Sequence, residues 1–315
     1  MRRRSLLQLT VPLAWGMVGC ADVPSTAVPS RPAAPQRLLG GFLAPPAGNG
    51  APLLPPPLGS GMFIKLQAPT AVALRDWDLL VADLAGNRLW RADLLRQTMS
   101  PLAGAPVGPA TALALGADRS AWVLDPPSRQ VLRFAVDGRL LQTWRHASTV
   151  PVGLALLDGG VTLAVPDAAL GQWMEWRSGG AIALPVPLLQ PDGGRSGRVD
   201  AMATGREHLY VLDRGAALVH RARRDGQVLE TLGGGALQQP VALVVDRHER
   251  VWVLDASGRH LTRLASGAAP LVIAAESLGA QLIGGVAVDE RSLAISDRLA
   301  GLVLIHPLPP REDTP

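Results

Sequence analysis

The sequence predicts an all-β fold, a six-bladed β-propeller whose ring is closed by an N-terminal strand that completes the last blade. Six short apolar stretches each end in an aspartate, and successive aspartates are separated by 42, 42, 46, 42 and 42 residues. We call them the ruler aspartates: Asp83, Asp125, Asp167, Asp213, Asp255 and Asp297. A fixed period of about 40 residues, with four short strands in each repeat, is typical of propeller blades.

The first repeat shows the four strands clearly. Residues 68–74 form an apolar first strand, residues 79–83 a second, residues 88–92 an alternating third and residues 97–102 a ragged fourth. Gly86-Asn87 separates the second strand from the third. Short strands about ten residues apart with turn signals between them indicate an all-β architecture.

The later repeats keep this order. Apolar second strands precede the ruler aspartates, as in residues 122–125 and 252–255. Asp137-Gly138 and Asp225-Gly226 predict tight turns between third and fourth strands, because glycine accepts a positive φ.

The last repeat lacks its fourth strand. Residues 302–305 supply a third strand, and the chain then reaches Pro307 and ends shortly after. Residues 61–66, just before the first repeat, form an additional apolar stretch. We therefore expect residues 61–66 to complete the last blade, which would remove two open sheet edges.

The first repeat resembles NHL repeats. The resemblance lies in residues 68–73, in Val81-Ala82-Asp83 and in Gly86-Asn87-Arg88, and it extends over residues 61–308 with more degenerate later copies. It implies a propeller that acts as a binding or scaffold module for protein or other envelope partners. NHL propellers include scaffolds, RNA binders and enzymes, so a lactonase-like or lyase-like enzyme with an unrecognised site is the alternative.

The N-terminus resembles a bacterial lipoprotein signal. Arg2, Arg3 and Arg4 precede an apolar stretch over residues 6–18 that is too short to span a bilayer. Met17-Val18-Gly19-Cys20 resembles a lipobox, with methionine where leucine is commonest, and implies lipidation of Cys20, the only cysteine. An ordinary secretory signal with an incidental cysteine is the alternative, and the general and twin-arginine export routes both stay open.

The resemblance also implies a cellular location and an order of segments along the chain. Ala21 rather than an aspartate follows Cys20, which favours the outer membrane, with the protein facing the periplasm. We expect a signal peptide over 1–19, a lipidated Pro-rich tether over 20–60, the propeller over 61–308 and a tail over 309–315. The tether is expected to be extended, although its apolar residues leave open that it lies against the propeller.

Charge argues against nucleic acid as a partner. Removal of the signal peptide takes three arginines from the 30 basic residues and leaves 27 against 26 acidic residues. The mature chain therefore lacks the basic domain that nucleic-acid binding needs. We expect a monomeric propeller that contacts the membrane through its lipid only.

Arginines mark one face of the predicted ring. Loops between second and third strands share a face with the connections between blades, which we call the upper face; the other turns form the lower face. Arginines occupy five of the six upper loops, whereas repeat three has Gln172: Arg88, Arg129, Arg214, Arg259 and Arg298. They predict either a ring of guanidinium groups for an anionic partner or structural pairs with the ruler aspartates.

The 46-residue step places extra length over residues 190–198, in the upper connection from blade three to blade four. Asp192, Arg195 and Arg198 are therefore further candidate binding residues, because loops of this kind often carry function. A tolerated surface insertion is the alternative.

No catalytic residue, metal site or cofactor is predicted. The only asparagines are Asn49 and Asn87, too few for the metal ligands of gluconolactonase-like propellers. Of the histidines, only His146 is expected near the upper face. Aspartates that recur in every blade are expected to be structural rather than catalytic.

Overall fold

The computed structural model describes residues 35–43, 62–108, 111–145, 150–177, 185–194 and 197–310. Within these ranges the chain is almost entirely β-structure, with two short 3-10 helices at Asp158–Gly160 and Ala275–Leu278. Neither of these helices is long or apolar enough to cross a membrane. The strands are β1 (Gln36–Leu38), β2 (Gly40–Leu43), β3 (Phe63–Lys65), β4 (Pro69–Arg75), β5 (Asp78–Asp83), β6 (Arg88–Asp93), β7 (Thr98–Pro101), β8 (Ala112–Leu115), β9 (Ala121–Asp125), β10 (Gln130–Phe134), β11 (Leu140–Arg145), β12 (Ala155–Leu157), β13 (Thr162–Asp167), β14 (Gln172–Arg177), β15 (Pro185–Pro187), β16 (Ala201–Thr204), β17 (Leu209–Asp213), β18 (Leu218–Ala222), β19 (Val228–Leu232), β20 (Pro240–Val245), β21 (Val251–Asp255), β22 (His260–Leu264), β23 (Leu271–Ala274), β24 (Ile283–Val288), β25 (Ser292–Asp297) and β26 (Leu302–Pro307).

The strands form six small sheets, one for each repeat, which confirms the predicted six-bladed β-propeller. The blades in order contain β4–β7, β8–β11, β12–β15, β16–β19, β20–β23 and β24–β26. The first strand of each blade is innermost, and at five of the six joints in the described part of the chain the inner strands of neighbouring blades contact one another, as β24 contacts β4 across the ring closure.

The second strand of each blade is the most deeply buried. Every residue of β5, β13 and β17 is buried, and in the other three second strands only Asp125, Asp255 and Ser292, each at a strand end, are partly accessible. A continuous apolar run fits this position, because both faces of the strand are covered by side chains of the neighbouring blades. The outer strand β11, by contrast, has no buried residue.

An N-terminal strand closes the ring as expected, but the segment assigned to that role was wrong. β1 pairs antiparallel with β26, with Gln36 opposite Ile305 and Leu38 opposite Val303. Of the expected strand over residues 61–66, β3 instead pairs with β2, which runs parallel to β7 at the outer edge of blade one. Residues 36–43, which we call the closing segment, therefore belong to the propeller and not to the tether.

Burial explains why the closing segment and not residues 61–66 completes blade six. Leu38 is 6% exposed and packs in one core cluster with Val303 and Ile305 of blade six and with residues of blade one. Phe63 and Lys65 are exposed on the outer edge. Glycine is required at Gly40, because a Cβ atom there would overlap the backbone carbonyl oxygen of Ile64.

At residues 284 and 285 the backbone of blade six lies directly against the backbone of blade one. A Cβ atom on Gly285 would overlap the carbonyl oxygen of Thr70, and one on Gly284 would lie 2.7 Å from the carbonyl oxygen of Pro69. The hydroxyl of Ser296 donates to the carbonyl of Thr70 at 3.5 Å. The Gly-Gly pair of the last repeat therefore allows β24 to approach β4 closely where the ring closes.

Candidate functional site

The six inner strands surround a central channel with a volume of about 650 Å³. These strands begin at the upper face, so their first residues mark the upper end of the channel and their last residues mark its lower mouth. The upper end is lined by small or uncharged residues: Thr70, Thr111, Gly153, Ala201, Val241 and Gly284. The lower mouth carries the charged lining: Arg75, Asp76, Arg206, Asp246, Arg247, Asp289 and Glu290.

The ruler aspartates bind backbone amides. The carboxylate of Asp83, which is 1% exposed, accepts from the N–H groups of Gln67 at 2.9 Å, Ala68 at 2.8 Å and Gly86 at 3.3 Å. The first two belong to the segment that enters the blade, and the third to the turn after the aspartate. The carboxylate thus joins two backbone segments whose N–H groups would otherwise lack an acceptor.

The same arrangement recurs around the ring. Asp297 accepts from four backbone N–H groups, at residues 281, 282, 299 and 300. Asp213 accepts from the N–H groups of Arg198 and Ala216, and Asp167 from that of Ala169. Asp125 differs, since its carboxylate accepts from the hydroxyl of Ser128.

Asp255 shows how such hydrogen bonds affect the pKa of a ruler carboxyl group. Burial would raise the pKa of its carboxyl group, but hydrogen bonds from Ser257 and from the N–H of Gln239 outweigh burial and hold the pKa below its usual value. These contacts explain why an aspartate recurs at this position, and they support the structural role expected for it.

The five upper arginines are exposed, and none of them forms an ion pair within the part of the chain that the structure describes. The pairs with ruler aspartates that the structural alternative required are thus not found there. Arg88 lies over the ring of Trp90, with 5.6 Å between the guanidinium carbon and the ring centroid. The guanidinium donors therefore face solvent, whereas the neighbouring carboxylates are occupied by backbone N–H groups.

The lower half of the propeller contains most of the ion pairs among the described residues. Asp78 and Arg91 form a buried pair through Arg91 Nε at 2.8 Å, and Arg119 adds a contact to Asp78 at 3.2 Å. Arg250 Nε donates to Asp246 at 2.7 Å, and the same guanidinium donates to the carbonyl groups of Pro309 and Pro310. These pairs tie blade one to blade two and the C-terminal residues to blade five.

The candidates in the long connection divide into three cases. Asp192 is exposed and accepts from the N–H of Gly194 at 2.9 Å within its own turn. Arg198 donates to Asp200 at 2.9 Å, while its backbone N–H is bound by the ruler aspartate of blade four, so it has a structural role. Arg195 lies outside the described residues, as do His146 and Cys20.

Nothing in the sequence indicates a polar contact between blades four and five. The Tyr210 side chain is 1% exposed, and its hydroxyl donates to Glu249 at 2.8 Å. Burial and this hydrogen bond raise the pKa of the Tyr210 phenol well above its usual value. The two residues lie 39 positions apart in different blades, so no local sequence signal marks them as partners. Among the described residues, no group of three or more His, Cys, Asp or Glu side chains could hold a metal ion.

No protein-family model matches the chain, and no curated protein matches it. Among solved structures, a catalytically inactive virginiamycin B lyase from Staphylococcus aureus is similar with a TM-score of 0.55 and 13% identity, covering 80% of this chain and 86% of that one. A gluconolactonase from Xanthomonas campestris has a TM-score of 0.54 and 18% identity, with 78% and 87% covered. A chain of a nidogen/laminin complex has a TM-score of 0.54 and 21% identity, with 70% and 85% covered. At these identities the likeness shows the propeller fold alone.

Proposed function

We propose that this chain is an exported, lipid-anchored propeller of NHL type that binds an anionic partner of the bacterial envelope through the arginines of its upper face. The observation that carries the proposal is the difference between the two kinds of charged group on that face. The arginines of five blades are exposed to solvent, whereas most of the ruler carboxylates are buried and bound to backbone amides.

Guanidinium groups suit a partner that presents carboxylates or phosphates, because their planar donors bind such groups in pairs. The ruler aspartates offset the positive charge at long range, so we expect recognition at contact distance rather than long-range attraction. Arginines spread over five blades fit an extended acidic surface better than a small molecule.

The upper loops can be tested with a short, fluorescein-labelled poly-glutamate peptide as the probe. The variant Arg88→Ser/Arg129→Ser/Arg298→Ser removes three upper arginines from adjacent blades. We expect a loss of affinity of roughly tenfold, since each exposed pair with a carboxylate contributes up to about 1 kcal/mol. Fluorescence anisotropy measures the change.

The matched control is Arg96→Ser/Arg139→Ser/Arg223→Ser, which removes three exposed arginines from lower turns and alters net charge equally. It should change the affinity little. An equal loss in both variants, or no binding of the probe to the wild-type protein, would contradict the proposal. Cross-linked capture from envelopes, compared between wild type and the upper variant, would then identify the partner.

Two of the three solved structures named above are a lyase and a lactonase, but at 13% and 18% identity their likeness carries the fold and not an enzymatic site.

A further inference from the structure

We propose that the lower turns of blades one and two rest on the surface of the lipid bilayer, so that the propeller contacts the membrane through protein as well as through lipid. This inference goes beyond the proposed binding function and rests on its lipid anchor. Two independent features of the structure carry it: an exposed apolar patch, and the side of the propeller at which the chain arrives from its N-terminus.

The patch consists of Trp77, Leu95 and Val136, and we call it the lower apolar patch. Trp77 is 49% exposed, Leu95 63% and Val136 47%, each on a lower turn. The N–H of Leu94 donates to the carbonyl of Trp77 at 2.9 Å, so the turns that carry Trp77 and Leu95 are adjacent. Arg91 donates to the carbonyl of Ala135 at 3.4 Å, which holds the third turn against blade one.

The charges around the patch are compatible with a membrane surface. Four of the nearby carboxylates are held in ion pairs: Asp78 with Arg91 and Arg119, Asp93 with Arg96, Asp118 with Arg133, and Asp137 with Arg139. Asp76, beside Trp77, is exposed and forms no ion pair among the described residues, but the exposed Arg75 precedes it. Tryptophan is favoured at the membrane–water boundary, and arginine can keep its charge among headgroups while its stem covers apolar surface. Insertion of a few apolar side chains into that boundary gives weak, reversible attachment.

The direction of β1 shows from which side the described chain enters the propeller. β26 runs from Leu302, opposite Asp297 at the upper face, to Pro307, opposite Ser292 at the lower face. Gln36 lies opposite Ile305 and Leu38 opposite Val303, so β1 runs upward and the chain reaches it from the lower end of blade six. Blade six adjoins blade one, which carries Trp77 and Leu95.

Chain length limits how far the propeller can stand from its lipid. Fifteen residue steps separate Cys20 from Pro35, the first residue described. Even fully extended, this segment reaches only about 50 Å. The segment between Cys20 and the propeller is therefore much shorter than the tether expected over residues 20–60, and it joins the propeller at the lower end of β1.

Exposed apolar side chains occur on both faces, so their exposure alone does not identify the face that contacts the membrane. Leu299 on an upper turn is 65% exposed, and Leu84 and Leu170 on other upper turns are also accessible. These leucines lie on three different blades, whereas the turns of the lower apolar patch are held together by hydrogen bonds. The chain enters β1 from the lower side, and this favours the lower face as the one that contacts the membrane. Leu299 serves as a matched control on the upper face.

The test uses purified residues 20–315 with Cys20 coupled chemically to a maleimide phospholipid in phosphatidylethanolamine and phosphatidylglycerol vesicles. Hydrogen exchange measured by mass spectrometry should slow by at least roughly twofold over residues 75–78 and 94–96 compared with the uncoupled protein, and stay unchanged over residues 298–301. Trp77→Ser/Leu95→Ser should abolish the slowing, and Leu299→Ser should retain it. Exchange without vesicles checks that each variant is folded.

Several results would overturn the proposal: slowing over residues 298–301 instead, equal slowing at both faces, no slowing, or slowing that rises with protein concentration without vesicles, which would indicate a second copy. Because the coupling is chemical, these results do not depend on whether the cell lipidates Cys20. Failure of the membrane contact can thus be distinguished from failure of the lipid anchor.

Discussion

A buried carboxylate can accept hydrogen bonds from several backbone N–H groups of a loop that have no backbone carbonyl as acceptor. In four blades the ruler aspartate accepts from an N–H group 15 or 16 residues earlier in the chain, in the segment that enters the blade. It also accepts from N–H groups two or three residues later, in the turn that follows. One side chain therefore fixes both the entry to a blade and the turn between its second and third strands.

At this scale we predict that Asp83→Ala lowers the free energy of unfolding by about 3 kcal/mol, because it leaves three backbone N–H groups without their charged acceptor. Asp125→Ala is the matched control: it removes a ruler aspartate whose carboxylate accepts from the hydroxyl of Ser128, and should cost about 1 kcal/mol or less. Urea unfolding at neutral pH measures both. Equal losses would show that the amide contacts are not what stabilises the turn.

Among elements, the closing segment holds the ring together. It adds β1 to blade six and β2 to blade one, so one short stretch of chain spans the joint between the first and last blades. The joint is tightened further by the Gly284-Gly285 pair, which brings the inner strands of these blades into close approach. Because proline-rich stretches flank this segment, its two strands were not predicted from the sequence, and only residues 61–66 resembled a closing strand.

We predict that Leu38→Ala lowers the free energy of unfolding by about 3 kcal/mol, since it empties space in the core cluster shared by blades six and one. Leu39→Ala removes the same atoms one position later, where the side chain is 49% exposed, and should cost less than about 0.5 kcal/mol. Thermal and urea melts report the difference. A similar cost for both leucines would be inconsistent with closure by β1.

For the whole molecule, the two faces have different chemistry. The upper face presents exposed arginines beside carboxylates that backbone amides occupy, and the lower face presents ion pairs and the lower apolar patch. The chain enters β1 from the lower side. A propeller anchored there would turn its arginines away from its own membrane and toward partners in the periplasm.

We predict that Cys20→Ser moves the protein from carbonate-washed membranes into the soluble fraction, because weak contact through the lower apolar patch does not survive that wash. Met17→Leu, which brings the lipobox to its commonest form, should leave the protein in the membranes. Fractionation and immunoblotting measure the distribution. Retention of Cys20→Ser in washed membranes would refute the lipid anchor without bearing on the propeller.

The sequence by itself determined the number of blades, the four-strand repeat and the orientation of the ruler aspartates, because these depend on a local pattern that each blade repeats. The need for an N-terminal closing strand also followed from counting the strands of the last repeat. Only the tertiary structure decided which segment closes the ring, what the ruler aspartates bind and which arginines stay exposed. Those outcomes depend on contacts between residues far apart in the chain, such as Leu38 with Val303 or Tyr210 with Glu249, and no periodic pattern records them.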